Sequence, residues 1–562
     1  MVNRREPCGG DTPPAHADRS SERNWLAGLR IVGLLTLASR VLGLARDVLM
    51  AALFGNSAVM DAFSVAFRVP NLARRLFGEG ALSTAFLPAF VRESEQRGED
   101  SAWKLAGTLF VALAGVLAAV VLLGEIVLAA ALWWNGSGES RLLLFLTAVM
   151  LPYLLLICLA AQFCAVLHAR DHFTWPALLP VMLNVVWIAT LVLLVPRFAT
   201  PGGQITVVAV CVLVGGALQL ATPLPMLLRH GFRFQTDWAA HRQTVAGLAR
   251  GLLPILLGLS IMQINTLADS LIAWCFSRPE QGPAEMPLFA GVDYPMVSGT
   301  ASALYFAQRM YQFPLGVFGV ALGTVLFPLF ARQAHAGDFG RLRESLSLGL
   351  RLVTAIGLPA GIGLIVLAEP LTALLFQHGN FDADAAAQTA GMIAVYGSGV
   401  WAYCGLLIVN RAFYAMNDSQ TPLRLGVLAV LVNLALDFVL IWPLGGNGLA
   451  LGTAVAATLQ FLLAVVCVQA RVGRFDWRPL WRAIMKTIIA CVAMLAACWG
   501  VLQVCPVETT FTSRLLRVAA PFAAAVAVYF ATARLLGLRE AALLFRRNVG
   551  AECDQPRSGG SK

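Results

Sequence analysis

ALGTVLFPLFAR, residues 321–332, repeats the pattern of ALSTAFLPAFVR, residues 81–92. Ala, Leu, Thr, Pro, Phe and Arg match in register at an offset of 240 residues. A second anchor comes from aligning LFG near residue 54 with the end of the seventh apolar run, which sets Asp47 opposite Asp269 and leaves a longer loop to absorb the change of offset. Asn184 and Asn433 hold similar places in the fifth and eleventh runs. The chain therefore reads as two copies of one unit.

The solvent of that unit follows from composition. With 58% hydrophobic and 13% charged residues over 562 positions, and a mean hydropathy of +0.73, the chain is too apolar for a water-soluble globule. Apolar runs of about 20 residues, enough to cross roughly 30 Å of hydrocarbon, recur from residue 26 to 536. About fourteen are expected, centred near residues 40, 75, 115, 155, 187, 215, 260, 315, 360, 400, 432, 458, 490 and 525. They are continuously apolar rather than alternating, so they read as helices and not barrel strands. Short turns separate them, such as WNGSGES (134–140), PRFATPGGQ (196–204), QHGNFDAD (377–384) and WPLGGNG (442–448). One longer connection, residues 277–299, follows the seventh run.

The expected fold is an all-α polytopic membrane protein with two six-helix lobes and two C-terminal helices. An even number of helices per copy keeps both copies in the same orientation, the parallel-repeat plan of many transporters. The expected divisions are a disordered cytoplasmic N-terminus at 1–24, an N-lobe at 25–235, a C-lobe at 236–472, helices 13 and 14 at 473–540, and a cytoplasmic tail at 541–562. No compact apolar segment with a cleavage site marks a signal peptide at the N-terminus.

Alternate loops differ in basic residues. One set carries Arg92, Arg97, Lys104, Arg170, Arg229, Arg233, Arg242, Arg332, Arg341, Arg343, Arg424, Arg471, Arg474, Arg478 and Lys486; the other holds chiefly Arg141, Arg197, Arg278, Arg514 and Arg517. The positive-inside rule makes the rich side, and both termini, cytoplasmic. Topology and anionic lipid headgroups then account for the net charge of +10, and nucleic acid is not needed as a partner. The eleven cysteines lack CxxC spacing and mostly read as small apolar residues. His168 and His172, four apart, read as interfacial histidines of a cytoplasmic turn rather than a metal pair.

Charges inside the apolar runs carry the functional signal. In DAFSVAFRVPNLARRLFGEG (61–80), Asp61, Arg68, Asn71, Arg75 and Glu79 step by seven, three, four and four and so share one helical sector, with Arg74 about 100° aside. Pro70 makes that alignment approximate. In the first run Arg40 and Asp47 share a face, Arg46 points elsewhere and Gly43 permits bending; Arg309, between Gln308 and Gln312, is the second-copy counterpart. One reading pairs Arg75 with Glu79 and Arg40 with Asp47 as structural ion pairs, since an unpaired intramembrane arginine is costly. The favoured reading is an aqueous cavity that receives an anion, because arginines outnumber acids there and the guanidinium fork grips phosphate or carboxylate bidentately.

A second constellation combines Asp269, Asn433, Asp437 and Thr453 on the seventh, eleventh and twelfth runs. These oxygen donors suit a hard cation such as Na⁺ or a proton relay, and equally an interhelical hydrogen-bonded cluster. No HExxH, Gly-rich phosphate loop, GxSxG or Asp-rich pair is present, and the loops are too short for a soluble catalytic domain, so no enzyme is expected.

SRVLGLARDVLMAALFG (39–55), MDAFSVAFRVPNLARRLFGEGALSTAFLPAF (60–90) and AQRMYQFPLGVFGVALGTVLFP (307–328) resemble the signature segments of the MurJ/MviN family of lipid II flippases, part of the multidrug/oligosaccharidyl-lipid/polysaccharide exporter superfamily. The resemblance implies an undecaprenyl-diphosphate-linked disaccharide-peptide substrate, lipid II, moved from the inner to the outer leaflet of the bacterial cytoplasmic membrane by alternating access. It implies a substrate cavity lined by Arg40, Arg46, Arg74, Arg75 and Arg309 with Asp47 and Asp61 as partners. Arg68 stands where a basic residue is common, and Glu79 belongs to the same wall. It further implies a cation site at Asp269, Asn433, Asp437 and Thr453, and a lipid-tail groove at the last two helices. There is no cofactor; a cation gradient (Na⁺ or H⁺) or the membrane potential is the energy source. Membrane lipids and cell-wall synthesis or division proteins are the further partners expected. Gln308 and Gln312 depart from the acids common beside the eighth-helix arginine. An exporter of another polyprenyl-linked oligosaccharide, or a non-transporting scaffold, is the alternative.

Overall fold

The computed structural model describes residues 17–74, 76, 82–134, 138–170, 172–280, 282–286, 291–506 and 510–540. Eighteen α-helices are assigned among them. The first half contains α1 (Ala17–Phe54), α2 (Ala58–Ala73), α3 (Leu82–Arg97), α4 (Glu99–Trp134), α5 (Glu139–Met150), α6 (Tyr153–Ala169), α7 (Thr174–Leu193), α8 (Pro201–Ala221) and α9 (Leu224–Arg229). The second contains α10 (Trp238–Cys275), α11 (Thr300–Pro314), α12 (Val320–His335), α13 (Phe339–Leu375), α14 (Ala383–Ala415), α15 (Gln420–Leu444) and α16 (Gly446–Val472). Last come α17 (Trp477–Val504) and α18 (Phe511–Leu535).

Eleven helical stretches among the described residues are long and apolar enough to cross a membrane. The other three runs expected from the sequence fall on α1 and α10, each 38 residues long, and on α2 and α3, which are not among those eleven. The centre expected at residue 75 lies outside the described residues, as do the two chain ends, 1–16 and 541–562. Several passes are built from two helices in line. Pro152 begins a new helix after α5, and a π-helical turn at Leu315–Gly319 joins α11 to α12 after Pro314. Such irregular backbone is tolerated at membrane depth where it is covered by protein or lines a cavity.

Outward faces of the helices are apolar. Val116, Val120, Leu122, Leu123, Ile126 and Val127 of α4 are exposed, as lipid-facing residues must be, while Trp133 and Trp134 lie exposed at its end, the place of an interfacial aromatic belt. Inward faces pack through small residues. A Cβ on Gly361 of α13 would strike the carbonyl oxygen of Gly397 on α14, and one on Gly357 would come within 2.9 Å of Trp401 Cα. Backbones approach that closely only where side chains are absent, the main source of helix association in lipid.

α17 and α18 pack on one another and on α13. Arg514 donates to the carbonyls of Ala373 (3.1 Å) and Gln377 (2.6 Å), and Arg351 of α13 pairs with Glu540 at 2.9 Å. α10 joins the two halves. Its start is fixed to the first half, where Asp237 N–H donates to Thr108 (3.0 Å) and the His241 ring lies 3.3 Å from Glu93; further along it packs on α15.

The second and eighth passes show how the halves meet. Their first helices, α2 and α11, pack against each other. Their continuations diverge, α3 onto α4 and α6, α12 onto α13 and α14. The lobes are joined where α1 finishes and α11 begins, and the space between the diverging continuations α3 and α12 is the interlobe groove.

Gly361→Val should force α13 and α14 apart. We expect about 1–3 kcal/mol of destabilisation, read as a lowered melting temperature of the purified protein, whereas Gly363→Ala, whose Cβ would meet nothing within 4 Å, should melt like the parent.

Candidate functional site

The contact between the lobes is centred on Asp47 on α1, which is 3% exposed. Its Oδ1 accepts from Arg46 Nη2 (2.7 Å) and Nε (3.1 Å) and from the Tyr305 hydroxyl (3.2 Å); its Oδ2 lies 3.3 Å from Arg309 Nε. Arg309 Nη2 donates to the Tyr305 hydroxyl (3.0 Å). One carboxylate of the first pass thus holds a guanidinium from each lobe. The pairing expected between Arg40 and Asp47 is corrected: Arg46, expected to point elsewhere, takes that carboxylate, because its side chain folds back along α1 into the space beside Asn184 and Trp187. It donates to Asn184 Oδ1 at 3.0 Å and lies 4.5 Å from the Trp187 ring centre. The Asn184 amide donates to the Ser39 carbonyl (3.1 Å), close to Gly43.

Arg40 is exposed, its guanidinium beside Gly316 in the π-helical turn. Arg68 is half-buried and donates to Gln308 Oε1 at 2.7 Å; the Gln308 amide in turn donates to the Tyr396 hydroxyl (3.3 Å). An amide at 308 orients Arg68 without cancelling its charge, which is the consequence of the departure seen in the sequence. Arg74 donates to Asn71 Oδ1 (3.1 Å). Arg75 and Glu79 lie outside the described residues.

Asp61 has a different task from that expected. It accepts from the backbone N–H of Gly299 (2.7 Å) and of Ser302 (2.6 Å), capping α11 from the other lobe rather than partnering an arginine. A carboxylate there satisfies orphan amides and complements the helix dipole. Gly299 has φ of +91°, and a Cβ on it would sit 2.7 Å from the Asn56 carbonyl oxygen, so the close approach needs glycine. Asn56 donates to Gln388 Oε1 (3.2 Å), and Asn380 donates through its backbone to Ala52 (2.8 Å) and through its side chain to Leu53 (2.6 Å). Sequence reasoning missed Asn56, Gln388, Asn380, Tyr305 and Tyr396, whose partners are more than 80 residues away in most of these contacts.

The second constellation does come together. Asn433 Nδ2 donates to Asp269 Oδ1 (2.8 Å) and to Asp437 Oδ2 (2.7 Å), and Thr453 donates to Asp269 Oδ2 (3.1 Å). Asn433 Oδ1 and Asp437 Oδ1 are buried with no hydrogen-bond partner. Gly452 leaves space for them, since a Cβ there would overlap Asp437 Oδ1. The internal repeat explains the cluster. With Asp47 opposite Asp269 and Asn184 opposite Asn433, Arg46 corresponds to Ala268 and Ile188 to Asp437. The N-lobe copy carries its own cation; the C-lobe copy lacks that arginine and has gained a carboxylate. Four oxygen donors from three helices, two of them orphaned, fit a small hard cation or protons. Elsewhere, His172 meets His230 with Nε2 atoms 2.7 Å apart, not His168.

Comparison with known proteins places this geometry. Residues 50–519 match the family model described as lipid II flippase MurJ. The chain is 32% identical over 537 residues to a probable lipid II flippase MurJ of Haemophilus influenzae, covering 91% of this chain and 99% of that protein. Among solved structures it is similar to a lipid II flippase MurJ in an inward closed conformation, with a TM-score of 0.70 at 24% identity over 90% of this chain and 99% of that one. It also shares the fold of a multidrug resistance MATE family transporter of the MOP superfamily, with a TM-score of 0.61 at 12% identity over 77% and 94% of the two chains.

Asp61→Ala should release the start of α11. Hydrogen exchange at the amides of Gly299 and Ser302 should then speed up by about ten-fold or more, while exchange in the remote α17 and α18 stays as in the parent; equal protection in the variant would show that Asp61 is not the cap.

Proposed function

This chain belongs to the lipid II flippase MurJ family, and from that premise we propose that lipid II crosses the membrane through the arginine-lined groove between the lobes. The single observation that carries the reading is the Arg46–Asp47–Arg309 bridge between the lobes, with Arg68 5.7 Å from the ring of the bridging Tyr305. A large anionic headgroup cannot enter hydrocarbon unaided. Guanidinium groups replace the water it loses, and their planar forks match a diphosphate.

The distribution of basic loops supports a reading in which the diverging ends of the lobes face the cytoplasm, the side from which the inner leaflet supplies substrate. The divisions at 25–235 and 236–472 separate the lobes that rock, with 473–540 as the tail-binding appendage docked on α13. Passage to the outer leaflet requires the Asp61 cap and the Asn56 and Asn380 contacts to break and the diverging ends to close, which is alternating access between repeats. Asp269, Asn433, Asp437 and Thr453 would hold the coupling cation or proton. When bound, it supplies the positive charge that Arg46 supplies in the N-lobe. Because α10 carries Asp269 while its start is fixed to α3 and α4, neutralising that cluster acts on the element joining the lobes. The chain works as a transporter of the cytoplasmic membrane, and no chemical step is assigned to it.

The test is rescue of a bacterium depleted of its own flippase. The parent should rescue; Arg309→Ala and Arg75→Ala should fail at normal membrane abundance. Rescue by both variants would remove the cavity arginines from the mechanism. Asp437→Asn, which removes a titratable carboxyl but keeps the shape of the cluster, should lower the transport rate and flatten its dependence on Na⁺ or pH; an unchanged dependence would exclude that cluster as the coupling site.

A further inference from the structure

Two glycines of the eighth pass, seven residues apart, each lie beneath an arginine from another helix. A Cβ on Gly316 would sit 2.9 Å from a guanidinium nitrogen of Arg40; one on Gly323 would sit 3.7 Å from Cγ and 3.8 Å from Nε of Arg411 on α14. Arg309 precedes Gly316 by seven residues. Arginines from α11, α1 and α14 therefore follow one pass at intervals of about 10 Å along its axis, from the Asp47 bridge toward the diverging ends.

Several arginines that the helices half-bury are answered by a carboxylate. Arg309 has Asp47, Arg351 has Glu540, Arg170 has Glu99. Among the described residues no carboxylate lies within ion-pair distance of Arg411; its guanidinium carbon lies 5.4 Å from the centre of the Phe327 ring, and Tyr414 is a further electrostatic neighbour. A guanidinium stacked on an aromatic face keeps its in-plane N–H edge directed outward, the edge that grips a phosphate. A cation left without a carboxylate so close to hydrocarbon is costly, and an anion passing through the site offsets that cost. Phe327 and Gly323 both belong to α12, one of the diverging continuations.

We propose that Arg411 is a substrate-contacting residue at the cytoplasmic mouth of the groove, where it takes the lipid-linked diphosphate first and passes it to Arg40 and Arg309. This rests on the lipid II reading. The same phosphate chemistry is offered by anionic phospholipids of the inner leaflet, and the experiment separates the two sources.

Full-length parent, Arg411→Ala and Arg411→Lys are purified, their melting temperatures compared, and binding of lipid II and of phosphatidylglycerol measured for each. We expect Arg411→Ala to weaken lipid II binding by about ten-fold, the loss of one charge-assisted contact, with melting temperature and phosphatidylglycerol binding as in the parent, and Arg411→Lys to recover part of the loss. Unchanged lipid II affinity in Arg411→Ala, with the parent binding, overturns this inference alone. Loss of phosphatidylglycerol binding without loss of lipid II binding assigns Arg411 to bulk lipid and also overturns it. So does a lowered melting temperature with equal loss of both ligands. A parent that does not bind lipid II overturns the flippase reading and this inference with it.

Discussion

A charge inside a membrane protein has to be answered by another charge, by dipoles or by water, and the Asp47 carboxylate answers two at once. Arg46 comes from its own helix and Arg309 from the opposite lobe, with the Tyr305 hydroxyl between them. Removing that carboxylate would leave two guanidiniums crowded in a low-dielectric space, so Asp47 ties the lobes together. The rest of the groove follows from this constraint. Arg68 is steadied by the neutral Gln308, and Arg40 lies over a glycine.

The two copies of the repeat treat the same geometry in opposite ways. In the N-lobe an arginine bridges Asp47 and Asn184; in the C-lobe Asn433 bonds Asp269 directly and Asp437 adds a second acid. On the proposed reading, a fixed internal cation would suit a lobe facing an anionic headgroup, and an exchangeable one a lobe that responds to a gradient. α10 connects the two, anchored beside Glu93 at one end and carrying Asp269 at the other.

Much of this was legible in the sequence, for a physical reason. Lipid leaves few options for a chain, so continuous apolar runs of spanning length read as helices, and the six matches between residues 81–92 and 321–332 gave the two-lobe plan. Intramembrane charge is rare enough that Arg40, Arg46, Asp47, Arg309 and the Asp269 cluster stood out. What the sequence concealed was pairing. Helical phase put Arg40 and Asp47 on one face, but a flexible arginine reaches around its helix, and Arg46 took the carboxylate. Asp61 looked like one more member of a charged sector, whereas its partners are backbone amides 238 and 241 residues away, which have no side-chain signature. Arg411 lies near a helix end, where basic residues are ordinary, and only Gly323 and Phe327 packed against it distinguish it.

The account stands or falls on whether the junction formed by α1, α11 and α14 must open for transport. The most direct measurement is lipid II translocation in proteoliposomes by a chain carrying Asn56→Cys and Gln388→Cys, compared before and after oxidation and again after reduction. The account predicts translocation in the reduced protein, its loss when a disulfide ties the two sites, and its return on reduction. Translocation that continues at the same rate with the sites fully crosslinked would contradict it.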